Sequence, residues 1–344
     1  MDNPDSKTQK EDVRDTDSAV ALEGPLTVAV RDMVLQSARL TELAGGPTAV
    51  WRGLDAIENV WLDNDELRIH CDLHRSESPK ATVVFQPGSG AHARVYFLFG
   101  ALFARRGYHV LAIDRPGHGL SAGTRGDCTV EEAIAVSRAV IEYARCQFGL
   151  PVVLMGSSMG GLLTIFALLK GLEPDLAVAH NFVYPGKLFS MRLRARWISR
   201  FRTKPYPLTE LVHGFTKLST DLAISEYLRS QSDPGAAWQL SARSVASLFS
   251  FSASVPTRVP ETLVITGDRD KAIPAWATRF FTWWSGLSRY EVIIVPNAGH
   301  FLFHDHLDIS VPLIADWLEK EGLWFAIPSL RSSTTGIVIT RVAI

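Results

Sequence analysis

Gly156-Ser157-Ser158-Met159-Gly160 lies at the junction of two apolar runs, PVVLM (151–155) and GLLTIFALL (161–169). A serine on a sharp strand-to-helix turn is held in a strained backbone conformation that presents its hydroxyl above a sheet. Glycines two positions before and after remove side chains that would collide in so tight a turn. A helix starting at the serine also favours the negative charge that builds up there during attack. Ser157 is a rival hydroxyl but stands off-centre in the pattern, so Ser158 is read as the nucleophile.

A serine hydroxyl attacks poorly unless a base removes its proton. Two later turns supply a base and an acid. Gly267-Asp268-Arg269-Asp270 follows the run TLVITG (262–267), and Asn297-Ala298-Gly299-His300 follows EVIIVP (291–296). Reactive groups gather at the C-terminal edge of open parallel sheets, where both turns would lie. His300 is read as the base and Asp270 as the acid that orients it, with Asp268 the other carboxylate of the same turn. His300, His304, Asp305 and His306 also raise a metal site, but neighbouring positions at a helix start converge badly on one ion, and no metal is expected.

Acyl transfer also needs donors for a developing oxyanion. Gln86-Pro87-Gly88-Ser89-Gly90 follows the strand-like ATVVF (81–85), so the N–H groups of Ser89 and Met159 are the expected pair. Asp114-Arg115-Pro116-Gly117-His118-Gly119-Leu120-Ser121 follows the next such run, and its residues, His118 included, read as structural.

The elements that would position these groups alternate along the chain. Strand-like runs stand at 81–86, 109–114, 151–156, 176–183, 262–267 and 291–296, with helical stretches at 94–106, 129–147, 159–171, 274–286 and 306–321. Short apolar strands alternating with helices predict an α/β fold: a mostly parallel central sheet with helices on both faces. An amphipathic helix over 27–44 and a hairpin over 57–73 precede this alternation. The expected organisation is an unstructured segment over 1–24, a core over 25–183 and 257–324, an inserted helical cap over 184–256, and a tail of unassigned role over 325–344.

Among 344 residues 47% are hydrophobic, enough for a sizeable core, and the net charge of −1 gives nucleic acid no global attraction. Cys71, Cys128 and Cys146 form no CxxC pair, and the polar N-terminus has no apolar stretch of signal-peptide type. A cytoplasmic protein is expected. The uncharged run 152–169 is long enough to resemble a membrane helix, but the glycines and serines at 156–161 divide it into strand, turn and helix.

The segments PGSGAHARVY (87–96), DRPGHGLSAGTRG (114–126), GSSMGG (156–161), GDRDKAIP (267–274) and NAGH (297–300) together resemble the α/β-hydrolases, and among them the monoacylglycerol lipase and lysophospholipase-like branch. Pro87 stands where that branch usually has histidine. The resemblance spans about 55–322. It implies a serine hydrolase cleaving a lipid-like or small hydrophobic carboxylic ester through an acyl-enzyme, with no cofactor. A carbon–carbon bond hydrolase of the same fold and a non-catalytic ligand-binding homologue are the alternatives.

Within the cap, residues 191–204 hold five arginines and a lysine. On a helix Arg192, Arg196 and Arg200 share one face and Leu193, Trp197 and Phe201 the neighbouring one. The pattern allows contact with a membrane surface, but the expectation taken is an apolar stripe packed inward under solvated arginines. Phe280, Phe281, Trp283 and Trp284 are likewise expected in the core. Oligomeric state is not legible.

Overall fold

The computed structural model describes residues 5–64, 67–212, 214–321 and 340–342. Its centre is a nine-stranded sheet in the order β1-β2-β4-β3-β5-β6-β9-β10-β11. The hairpin β1 (Glu58–Asn64) and β2 (Leu67–His74) is antiparallel, and β2 runs antiparallel to β4 (Tyr108–Ile113). All later pairings are parallel, through β3 (Ala81–Gln86), β5 (Val152–Ser157), β6 (Leu176–His180), β9 (Glu261–Gly267), β10 (Tyr290–Val295) and β11 (Thr340–Val342). The parallel α/β fold expected from the sequence is therefore present.

Side-chain alternation explains why these strands read as unbroken apolar runs. Val83, Phe85, Val153 and Met155 enter a core shared with the helices Phe97–Arg105 and Leu307–Lys320. Val84, Val152 and Leu154 enter a second core beneath the helices Val130–Phe148 and Met159–Leu169. A sheet covered on both faces leaves no polar face for a period-two pattern to show.

Two stretches differ from expectation, and a third, left open, is partly filled in. From Asp5 onward the segment read as unstructured lies in a helix, Asp5–Gln36, while residues 1–4 fall outside the described residues. The physical reason is anchorage further along: Leu26, Val30, Met33 and Val34 are buried, and Arg94 donates to Thr27 Oγ1 at 2.8 Å. Once a helix is nucleated, adding turns costs far less than starting one. Of the tail 325–344, the described residues 340–342 form the edge strand β11. Finally, Phe280 and Trp283 on the helix Ala275–Ser285 are exposed, while Phe281 packs on the core.

Between the neighbouring strands β6 and β9 the chain leaves the sheet for some eighty residues, written from Asn181 to Pro260. Three helices of nine or more residues, Phe189–Phe201, Leu222–Ser230 and Ala242–Ser250, dominate the stretch. The two-residue strands β7 (Tyr206–Pro207) and β8 (Gln239–Leu240) pair antiparallel within it.

Candidate active site

β5 ends at Ser157, and the helix Met159–Leu169 begins two residues later, so Ser158 is the whole of the turn. Its φ of 53° and ψ of −114° are strained for a residue with a Cβ, at a cost of about 1–3 kcal/mol. Neighbouring glycines make the turn possible. A Cβ on Gly160 would stand 2.0 Å from the Gln86 carbonyl oxygen, and one on Gly156 2.1 Å from that of Gly160. The Ser158 N–H donates to the His180 carbonyl at 2.9 Å, tying the turn to β6.

Ser158, His300 and Asp270 come together at the C-terminal edge of the sheet. Ser158 Oγ lies 3.0 Å from His300 Nε2, and His300 Nδ1 lies 2.9 Å from Asp270 Oδ2. Asp270 is buried and its Oδ1 accepts the N–H groups of Ala272 and Ile273, each at 2.8 Å. Burial alone would raise the Asp270 carboxyl. The hydrogen bond and charge of His300, with the Ile273 N–H, outweigh it and hold the group below the ordinary carboxylate range.

The other hydroxyl and the other carboxylate take different places. Ser157 is buried with its Oγ 3.2 Å from His180 Nδ1, and Asp268 is exposed. His180 is held neutral by burial and then by the charge of His300, its pKa down at about 3. His304 is buried and packs its ring at a tilt against Tyr96, whereas Asp305 accepts from Ser219 and Thr220, so the histidine-rich turn does not converge on one point. His118 is buried beside the Pro116 carbonyl, away from the three.

Asn181, which was not singled out from the sequence, touches two members of the group. Its Nδ2 donates to Asp270 Oδ2 and lies 3.2 Å from His300 Nδ1. The available signal was the polar pair His180-Asn181 interrupting an apolar strand at the reactive edge. Arg115 was also missed as a site residue. It is buried, and its guanidinium donates to the carbonyls of Pro87 and Gly88 at 2.6 and 2.7 Å. The loop 86–90 is held by its carbonyls, which leaves its N–H groups facing elsewhere. Gly88 N–H donates to Tyr96 Oη at 3.2 Å, and among the described residues no acceptor engages the N–H of Ser89. Met159 is the first helical residue, whose N–H has no intrahelical acceptor.

Above Ser158 and His300 opens a pocket with about 740 Å³ of empty space, part of it open to solvent. Leu208, Val212, Phe215 and Leu228 from the insertion line it, together with Met33 from the long N-terminal helix. Among the described residues no aspartate or glutamate lines it. Phe280, Phe281, Trp283 and Trp284 are not among its lining residues.

Comparison with known proteins shows the family. Over 92 residues the chain is 36% identical to phospholipase YtpA of Bacillus subtilis, a match covering 26% of this chain and 35% of that protein. Over 113 residues it is 37% identical to caffeoylshikimate esterase of Arabidopsis thaliana, covering 31% and 33%. The chain thus spans about a third of the length of either curated relative. A monoacylglycerol lipase from Paleococcus ferrophilus superposes with a TM-score of 0.59 at 23% identity, covering 73% of this chain and 99% of that one, a likeness of fold. The profile of the family described as serine aminopeptidase, S33, matches residues 77–306, most of the chain, and the protein belongs to that family of α/β-hydrolases.

Proposed function

We propose that the protein hydrolyses carboxylic esters with an apolar acyl portion, through an acyl-enzyme on Ser158. The observation carrying this reading is the hydrogen-bonded line Ser158–His300–Asp270 at the floor of an apolar pocket. Ser158 Oγ attacks the ester carbonyl as His300 Nε2 takes its proton. Asp270 holds the imidazole through Nδ1 and stabilises the imidazolium. The N–H groups of Ser89 and Met159 receive the oxyanion. His300 then returns the proton to the departing alcohol and activates the water that frees the acid.

The family description names an aminopeptidase, but binding a peptide's amino terminus calls for a carboxylate, and among the described residues the pocket lining has none. An ester with an apolar acyl chain suits that lining. A phospholipase and an esterase among the relatives agree with this substrate class. Residues 184–256 are read as a cap over the site, since they supply most of the apolar wall.

The test is fluorophosphonate labelling and turnover of p-nitrophenyl esters of increasing chain length, for the wild type and Ser158→Ala. Labelling and turnover confined to the wild type are expected. A well-folded wild type that neither labels nor turns over any ester defeats the reading.

A further inference from the structure

The helix Phe189–Phe201 turns Ala195 and Ile198 inward, against the helix Ala242–Ser250. That is the reverse of the inward stripe expected from the sequence. Phe189, Leu193, Trp197 and Phe201 point outward and are 74, 48, 55 and 64% exposed. They recur at every fourth position, so they form one continuous stripe on the side away from the protein. Single exposed apolar residues are ordinary, but a contiguous row of large ones marks an interaction surface.

The charge beside the stripe identifies what it meets. At 100° per residue, Arg192, Arg196 and Arg200 run along one flank and Arg194 along the other. All four are exposed, and among the described residues none is paired with a carboxylate. The sequence contains no acidic residue between Asp175 and Glu210. We propose that this helix docks the protein on an anionic lipid surface, the apolar stripe entering the acyl boundary and the arginines meeting headgroup phosphates. A nucleic acid would leave four large apolar side chains in water. A second copy of the same face would bring like charges together. Among the described residues no helix is long and apolar enough to cross a membrane, so the contact is peripheral. The proposal goes beyond ester hydrolysis and does not rest on it.

Co-sedimentation with phosphatidylcholine vesicles, with and without phosphatidylglycerol, tests it. The wild type should sediment with the anionic vesicles and remain free of the neutral ones. Raising salt from about 0.1 M to about 1 M, which shortens the Debye length from ~10 to ~3 Å, should release it. The double variant W197S/F201S should bind at least about tenfold more weakly, and R192Q/R196Q about 25-fold more weakly, at roughly fivefold per arginine. These side chains are exposed, so turnover of a short soluble ester should be unchanged in both variants. Ser158→Ala should sediment like the wild type, which separates this proposal from the hydrolytic one. Absence of wild-type binding to anionic vesicles overturns the proposal, as does undiminished binding of both double variants. So does sedimentation velocity showing a dimer that W197S/F201S abolishes, since the stripe is then a self-association surface.

Discussion

Arg115 Nη2 donates to the Gly88 carbonyl at 2.7 Å from a fully buried position, while Nη1 of the same guanidinium holds Pro87. Among the described residues no carboxylate is paired with Arg115, so its charge is stabilised by backbone dipoles of the loop next to the nucleophile. A planar fork is suited to gripping two successive carbonyls at once, a geometry that lysine's point-like ammonium does not reproduce.

Arg115→Lys should therefore leave one carbonyl unpaired and let the loop drift. Removing an oxyanion donor costs about 10²–10³ in kcat, and a partial loss of about tenfold is expected here. KM for a short ester should change little, because the pocket walls are untouched. A variant with wild-type kcat would show that Arg115 has no bearing on the loop's catalytic geometry.

Asp270→Asn should retain the fold, since Oδ1 can still accept from Ala272 and Ile273. It removes the acceptor that fixes the His300 tautomer, and kcat should fall by about 10⁴. Asn181→Ala, one contact further out, should lower kcat less, on the order of tenfold, and the double variant should be no worse than Asp270→Asn alone. Steady-state kinetics at a fixed pH reads both, and additive losses would mean that Asn181 acts independently of the acid.

Acid should destabilise the protein well before the carboxylates titrate. Burial lowers the pKa of His74, His118 and His304 to about 4, 3 and 4, and burial with the His300 charge lowers His180 to about 3. Unfolded histidine titrates near ~6.5. Between that value and the folded one, the unfolded chain binds more protons, so stability falls as pH falls. Each histidine contributes a slope of up to about 1.4 kcal/mol per pH unit. Asp270, whose folded pKa is depressed, adds stability that is present above the ordinary carboxylate range and lost as pH drops through it towards the folded value. Thermal melts from pH 7 to pH 4.5 should show this fall, and His118→Gln should make it shallower. An unchanged slope in that variant would mean that His118 titrates alike in both states.

Met33 lines the pocket from a helix outside the sheet, so on the proposed function that helix helps set how long an acyl chain fits. Met33→Trp should move the preferred p-nitrophenyl ester to shorter chains, lowering kcat/KM for long esters by about tenfold and sparing acetate. Overfilling a packed site costs about 1–3 kcal/mol, so a melting curve belongs beside the kinetics. An unaltered chain-length profile in folded protein would place the acyl chain elsewhere.

The residues of the candidate site were legible from local rules. Gly156, Ser158 and Gly160 can occupy only a turn too tight for a larger neighbour, and that turn is announced by the apolar run before it and the apolar run after it. Asp270 and His300 were readable for the same reason, each standing just past a strand. The sheet itself was readable because strands buried on both faces are uniformly apolar.

What stood beyond the sequence were relationships between distant segments. Asn181 matters only because β6 lies between β5 and β9, bringing its side chain to both Asp270 and His300. Arg115 matters because β3 and β4 are adjacent, which sets its fork against Pro87 and Gly88. The polar N-terminal segment is helical because its distal half is anchored by buried Leu26, Val30 and Met33. The helix Phe189–Phe201 carries two rows with apolar members, and periodicity cannot say which one meets the protein. Packing settled it: small Ala195 with Ile198 fits closely against the helix Ala242–Ser250, and the bulky row is left outside.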